Sequence, residues 1–159
     1  MSLTMPLVDS PAIDLDIEEW VLGPSTNISN ELGKPILVKV FQVNCPGCFT
    51  HGIPEILEIK NKFSDSPLLI WGLATAFEDF HLNNSENLRR LVESGEVVGE
   101  TLEVLGAKGF LNNNRLDYPI SFPVALDNVV PYQPSDYLLE AQKFIKRDFP
   151  QFDSFPVKN

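Results

Sequence analysis

The chain has 159 residues, enough for one domain with a substantial hydrophobic core and too few for two domains of ordinary size. Its 12 basic and 22 acidic residues give a formal net charge of −10, which disfavours nucleic acid and anionic membranes as partners. Apolar runs all fall short of the ~20 residues that a membrane-spanning helix needs, so we expect no membrane insertion.

The first eleven residues show no regular pattern, and we expect an extended segment that is partly an expression scar, since a second methionine stands at position 5. This segment lacks a basic region followed by an apolar one, so the sequence predicts no signal peptide. We therefore expect a cytoplasmic protein, or a periplasmic or other extracytoplasmic one if a leader was removed.

The next segment predicts a strand followed by a turn. Residues 13–17 alternate strictly between apolar and acidic side chains, as a half-buried strand does. Residues 20–21 continue this strand or begin a return strand. A turn is predicted at 23–24, and a polar loop or a single helical turn at 25–33.

A buried strand and a long helix are predicted next. The run 36–43 is apolar except for Lys39 and Gln42, which is typical of a strand covered on both faces of a sheet. Apolar side chains then recur with a period near 3.6 over residues 46–63, so we expect a helix there. Pro54 lies inside this pattern and predicts a kink.

Residues 68–74 predict a second buried strand, parallel to the first, because the intervening helix makes a right-handed βαβ unit. Ligands bind beyond the carboxyl ends of such strands, where the loop 75–84 also lies. This loop carries Phe77 and Phe80. Either it forms one wall of a substrate groove, or it is a surface loop whose two aromatic side chains pack into the core; we favour the second interpretation.

The remaining pattern predicts two helices, a strand and a final helix. Capping residues delimit a helix between 84 and 95, and a helical period continues over 96–106. A strand is predicted at 122–126 and an amphipathic helix over 135–147. The tail, 148–159, is expected to be extended and docked on the domain.

The two cysteines of the chain, Cys45 and Cys48, form a C-P-G-C motif between the first apolar run and its helix. Pro46 suits the first helical position. A helix N-terminus presents unpaired N–H groups and about half a positive charge, which lower the pKa of a cysteine placed there. The motif therefore predicts dithiol–disulfide exchange, with Cys45 as the nucleophile and Cys48 as the resolving thiol.

Residues 34–63 resemble the strand, C-x-x-C motif and kinked helix of the thioredoxin superfamily; they read KPILVKVFQVNCPGCFTHGIPEILEIKNKF. The stretches 11–35 and 68–79 are similar to the redoxin branch, whose TlpA-like and AhpC/TSA-like members begin with a small β-hairpin and a G-K-P lead into the central strand. The resemblance covers about residues 12–127.

This resemblance implies a thioredoxin-like three-layer α/β/α fold with an N-terminal β-hairpin extension, in a single domain over 12–159. It also implies a thiol–disulfide oxidoreductase whose catalytic residues are Cys45 and Cys48. The expected partners are protein disulfide substrates and an upstream reductase or oxidant. No cofactor is expected.

Two positions depart from the thioredoxin pattern. Asn44 stands where thioredoxins usually carry Trp, and Lys39 stands where they place a buried Asp that helps to deprotonate the second thiol. A buried Lys39 would be neutral or would stabilise a nearby thiolate by its charge. Alternatively, its side chain points to solvent at the edge of the strand.

The family's cis-proline, which places backbone against the reactive cysteine, has two candidate placements. In the first, Pro123 is this residue, with 129–132 as a short partner strand and 135–147 as the closing helix. In the second, residues 118–127 match the strand that precedes the cis-proline. The C-terminal hairpin and helix of the family would then be missing, and we favour this interpretation.

Rival functions rest on fewer residues. A zinc site needs four ligands, but only His51 and His81 could join the cysteines, and their spacing does not fit. A copper site built from both cysteines and His51 is equally weak, so we predict no metal.

Peroxiredoxins carry P-x-x-x-T-x-x-C, whereas this chain has Val38 and Gln42 at the proline and threonine positions. A peroxide reductase remains an alternative, as does a thioredoxin-fold binding or assembly module with little redox activity.

Overall fold

The structure, a computed structural model, describes residues 11–129. In chain order its elements are β1 (Ile17–Leu22), β2 (Ile36–Phe41), α1 (Ile53–Lys62), β3 (Leu69–Ala74), α2 (Ser85–Ser94), α3 (Gly99–Ala107), β4 (Leu111–Asn112), β5 (Arg115–Leu116) and β6 (Val124–Asp127). A 3₁₀ turn covers Ile28–Asn30, and a π-helix covers Cys48–Gly52. No helix among these residues is long and apolar enough to cross a membrane.

Four strands form the central sheet in the order β1-β6-β3-β2, while β4 and β5 pair with each other. Strands β2, β3 and β6 are parallel, and β1 runs antiparallel to β6. The predicted βαβ unit is therefore present, with Val38 opposite Trp71. Because β2, β3 and β6 are parallel, their carboxyl ends share one edge of the sheet, and the C-P-G-C motif follows the end of β2.

The core lies between the sheet and the apolar sides of the helices. Its most completely buried apolar side chains are Val43, Phe49, Ile53, Leu88, Leu91, Val97, Leu105, Phe122 and Val124. Burying one such Leu, Ile or Phe side chain contributes about 1.5–3 kcal/mol. Gly72 of β3 is needed for this packing, because a Cβ there would lie 3.0 Å from the ring of Phe122.

The predicted strand at 13–17 is wrong, since β1 begins only at Ile17. The Asn27 side chain takes the place of a strand partner: its Oδ1 accepts from Leu15 N at 2.9 Å, and its Nδ2 donates to Leu15 O at 2.8 Å. The expected N-terminal β-hairpin is also not formed within residues 11–129, because β1 pairs with the distant β6.

The predicted helix over 46–63 is confirmed, with a local widening where the kink was expected. Helical structure runs from residue 46 to residue 62, and its Cys48–Gly52 part is the π-helix. Pro54 lies just after the widened turn, in the first turn of α1. Because Pro54 has no N–H, the backbone hydrogen bond that residue 54 would make to this turn is missing.

The predicted helix between 84 and 95 is confirmed as α2, with Asn84 as its N-cap and Gly95 in the left-handed conformation at its end. The next helix starts later than predicted, at Gly99. Residues 111–116 form the short β4–β5 hairpin around Asn113 and Asn114, both with positive φ.

The interpretation of Pro123 as the cis-proline is wrong. Residues 11–129 contain no cis peptide bond, and Pro123 precedes β6 at the amino ends of the parallel strands, the edge opposite Cys45. The predicted helix 135–147, the tail 148–159 and most of the segment 129–132 lie outside the described residues. The single domain over 12–159 and the extended segment 1–11 remain predictions.

Candidate active site at the C-P-G-C motif

Cys45 and Cys48 are joined by a disulfide, with their Cα atoms 5.4 Å apart. The Cys48 N–H donates to the Cys45 carbonyl at 3.0 Å, which closes the turn at the start of the helix. Both residues are half-buried, and Cys48 packs against the hydrophobic core. This placement suits the predicted roles, because the resolving cysteine, Cys48, is held where its sulfur can reach that of the nucleophile, Cys45.

Asn44, which stands where thioredoxins usually carry Trp, ties the cysteine turn to two other segments. Its N–H donates to Asn83 Oδ1 at 2.7 Å, and its Nδ2 donates to Asp79 Oδ2 at 2.9 Å. Its Oδ1 accepts from the N–H of Thr101 at 3.2 Å. Every hydrogen-bonding group of the Asn44 side chain therefore has a partner, as a buried amide requires.

The contact with Thr101 also caps α3. Val98, the N-cap residue of α3, makes no side-chain cap bond, so the Asn44 side chain supplies an acceptor to the first turn from a distant segment. Gly99 makes this approach possible: it has φ +55°, and a Cβ there would lie 2.7 Å from Asn44 Oδ1. The start of α3 and the residue before Cys45 are thus positioned together.

Gln42 and Asn83 extend the same buried network into the loop after β3. Gln42 Oε1 accepts from the N–H of Phe77 at 3.1 Å and from Asn83 Nδ2 at 3.3 Å. Asn83 Nδ2 also donates to the carbonyl of Glu78 at 2.9 Å. Two buried polar residues that follow β2, Gln42 and Asn44, therefore shape the loop after β3.

Tyr118 holds the π-helix from outside. Its hydroxyl donates to the carbonyl of Phe49, the residue after Cys48, at 2.6 Å. Burial raises the pKa of Tyr118 well above the ordinary value, and the negative charge of Asp117 adds to this effect. The phenol therefore stays protonated and remains a donor across the neutral and mildly alkaline range.

Lys39 is half-buried, and its side chain lies against the π-helix. A Cβ on Gly52 would be 2.6 Å from Lys39 Nζ and 2.8 Å from Cε, so glycine leaves the space that the lysine occupies. Gly52 is four residues after Cys48, which places the two on neighbouring positions of one helix surface. The ammonium is thus a cation beside the turn that carries the resolving cysteine.

The loop 75–84 differs from the favoured interpretation, in which Phe77 and Phe80 pack into the core. Their side chains are 69% and 57% exposed. The buried amides of Gln42 and Asn83 occupy the inner side of the loop, and both rings are left at the surface. That interpretation is wrong for both residues.

Both histidines lie at the surface. His51 is exposed in the π-helix, with its Nδ1 2.7 Å from Thr50 Oγ1, and His81 is exposed in the loop after β3. Within residues 11–129, no group of three or more His, Cys, Asp or Glu side chains is placed to hold a metal ion.

Sequence reasoning missed Asn83, Thr101 and Tyr118. Thr101 offered a weak signal, since it is a polar residue at an inward position of an otherwise apolar helical pattern. Asn83 and Tyr118 offered none, because their partners are 39 and 69 residues away along the chain.

The solved structures that resemble this chain include two at above 25% identity. One is a thiol-disulfide isomerase from Corynebacterium glutamicum, with 28% identity, a TM-score of 0.53, and coverage of 80% of this chain and 67% of that one. The other is a thioredoxin-like superfamily protein, with 26% identity, a TM-score of 0.51, and coverage of 73% and 61%. The chain thus spans about two thirds of the length of these structures. No protein-family model and no curated protein matches it.

Proposed function

The chain belongs to the thioredoxin-like superfamily, and we propose that it is a thiol–disulfide oxidoreductase that acts on protein disulfides through Cys45 and Cys48. The observation that carries this proposal is the disulfide between Cys45 and Cys48 at the start of a helix. The thiol-disulfide isomerase among its structural neighbours supports redox chemistry of this kind.

Two exchange steps complete the reaction. The Cys45 thiolate attacks one sulfur of a substrate disulfide, which forms a mixed disulfide and releases the other substrate sulfur as a thiolate. The Cys48 thiolate then attacks the Cys45 sulfur and releases the second substrate thiolate. Two electrons pass from the dithiol to the substrate, and each released thiolate takes up a proton from water.

The surrounding residues contribute positioning and charge. Asn44 fixes the backbone that enters Cys45, and the bond from Tyr118 to Phe49 fixes the turn that carries Cys48. The helix N-terminus and the Lys39 ammonium favour the anionic forms of the sulfurs. An external dithiol or disulfide must restore the starting state; an upstream protein partner in that role and a cytoplasmic location are further predictions.

Insulin reduction driven by dithiothreitol tests the proposal. The chain should accelerate the reaction, whereas Cys45→Ser should bring the rate down to the background of dithiothreitol alone. His51→Ala, at an exposed position in the π-helix that follows the motif, is the control and should retain the rate. An unchanged rate in Cys45→Ser would exclude the proposed activity and would favour a binding module.

A further inference from the structure

The exposed rings of Phe77 and Phe80 stand at the edge of the sheet where the reactive motif lies. We propose that these two side chains, with the acidic Glu78 between them, dock the polypeptide that flanks the target disulfide and select apolar and basic residues there. This inference rests on the proposed function, because it names the substrate that the C-P-G-C site would accept. The two exposed rings are three residues apart on one loop, and contiguous exposed apolar surface marks protein interaction sites.

The loop that carries the two rings is held in place by hydrogen bonds to the strand end and the cysteine turn. The N–H of Phe77 donates to Gln42 Oε1, and Asn44 Nδ2 donates to Asp79 Oδ2. Gln42 and Asn44 are themselves buried. These bonds hold the loop in the conformation that exposes the two rings. A ligand therefore does not have to order the loop on binding.

The same contacts place the rings within reach of a short peptide bound at Cys45. Asn44 directly precedes Cys45, and Asp79 directly precedes Phe80. The 2.9 Å bond between the Asn44 and Asp79 side chains limits the Cα separation of Cys45 and Phe80 to about 18 Å, the span of about five extended residues. A substrate cysteine engaged at Cys45 can thus place a residue within five positions of it against the rings.

The acidic side chains of the loop account for the proposed preference for basic residues. Glu78 and Asp79 are exposed, and the loop 75–84 contains no Lys or Arg. The whole chain carries a formal charge of −10, which also favours a cationic partner. Aromatic rings accept both aliphatic side chains and the cations of Lys and Arg on their faces. An apolar and basic flank satisfies both parts of the surface.

The test compares two peptides that carry one cysteine as a mixed disulfide with 5-thio-2-nitrobenzoate. In one peptide, Phe and Lys stand within four residues of the cysteine; in the other, Ser and Asp replace them. We expect the reduced chain to react with the first about tenfold faster. Phe77→Ser/Phe80→Ser should remove most of this difference and leave only the part that comes from the charge of Glu78. Glu78→Gln should remove that smaller, charge-dependent part.

The control substitution is Phe63→Ser, which removes a ring of similar exposure, 47%, at the far end of α1. It should leave the peptide ratio unchanged. The small disulfide 5,5′-dithiobis(2-nitrobenzoate) needs no docking surface, so the two phenylalanine variants, Phe77→Ser/Phe80→Ser and Phe63→Ser, should reduce it at the wild-type rate. Equal rates with both peptides, or an undiminished preference in the double variant, would overturn the docking inference while leaving the proposed function intact. Failure of the wild-type chain to reduce any of these disulfides would overturn both.

Discussion

The Tyr118 hydroxyl donates a 2.6 Å hydrogen bond to the carbonyl of Phe49, one residue after the resolving cysteine. In the π-helix, the Ile53 N–H donates to the Cys48 carbonyl. In the same pattern, the N–H of residue 54 would donate to the next carbonyl, that of Phe49. Residue 54 is Pro54, which has no N–H. Tyr118 therefore supplies, from a distant segment, the donor that the proline cannot provide.

Removal of this hydroxyl is expected to destabilise the fold. We predict that Tyr118→Phe lowers the free energy of unfolding by about 1–2 kcal/mol, since the Phe49 carbonyl loses its donor. In a Pro54→Ala background, a backbone N–H becomes available, so the same substitution should cost less than half as much. Urea unfolding of the oxidised protein measures both values. An equal cost in the two backgrounds would show that Pro54 does not create the need for Tyr118.

The raised pKa of Tyr118 predicts a pH dependence. Below the ordinary tyrosine pKa of 10.0, the phenol is protonated in both the folded and unfolded states. Above it, the unfolded chain releases this proton first, so the folded state holds more protons and stability falls as pH rises. The stability advantage of the wild type over Tyr118→Phe should therefore shrink between pH 10 and 11. If the free energies of unfolding of the two proteins instead changed in parallel with pH, the raised pKa of Tyr118 would be contradicted.

Asn44 is expected to affect both stability and exchange. We predict that Asn44→Ala lowers the free energy of unfolding by about 1–3 kcal/mol, because the fully buried Thr101 loses the acceptor of its N–H. Asn84→Ala is the matched control: it removes an asparagine that caps α2 through the Asn87 N–H but does not contact the cysteine turn.

Both asparagine variants should lose similar stability, of the order expected for a helix cap. Only Asn44→Ala should slow the reduction of a small disulfide under conditions where both proteins are fully folded, because only Asn44 fixes the backbone next to Cys45. Similar slowing in the two variants would reduce the role of Asn44 to that of an ordinary cap.

The cation beside the π-helix should tune the midpoint potential of the cysteine pair. Lys39→Met removes a charge that stabilises thiolates, so the reduced form becomes less favourable and the potential should become more negative by about 10–30 mV. Gly52→Ala should shift it in the same direction, since its Cβ displaces the ammonium. Lys60→Met, in the last turn of α1, should leave the potential unchanged. Equilibration with glutathione measures the midpoint potential of the wild type and of the three variants.

The sequence predicted those parts of the fold that depend on local pattern. The strands β2 and β3 appear as apolar runs, and α2 is delimited by the capping residues Asn84 and Gly95, whose physical roles act within one turn. The strand expected at 13–17 failed because the Asn27 side chain, twelve residues away, bonds to both polar backbone groups of Leu15. The alternating pattern of residues 13–17 cannot reveal a side chain elsewhere in the chain that bonds to their backbone in place of a neighbouring strand.

The candidate site was predictable only in part. The C-P-G-C motif identified the cysteines, because its spacing and helix entry are themselves local features. The partners of Asn44 come from segments 39 and 57 residues away, and only the folded chain brings them together. The exposure of Phe77 and Phe80 was likewise hidden, since it depends on buried amides that fill the inner side of their loop.

The most direct test of the account asks which sulfur attacks a substrate. Reduced Cys48→Ser and Cys45→Ser are each mixed with an excess of a peptide disulfide, and the intact protein masses are followed over time. Cys48→Ser should accumulate one stable peptide adduct on Cys45, whereas Cys45→Ser should react at least tenfold more slowly, since Cys48 packs against the core. Faster adduct formation on Cys48, or no adduct in either variant, would contradict the assignment of Cys45 as the nucleophile.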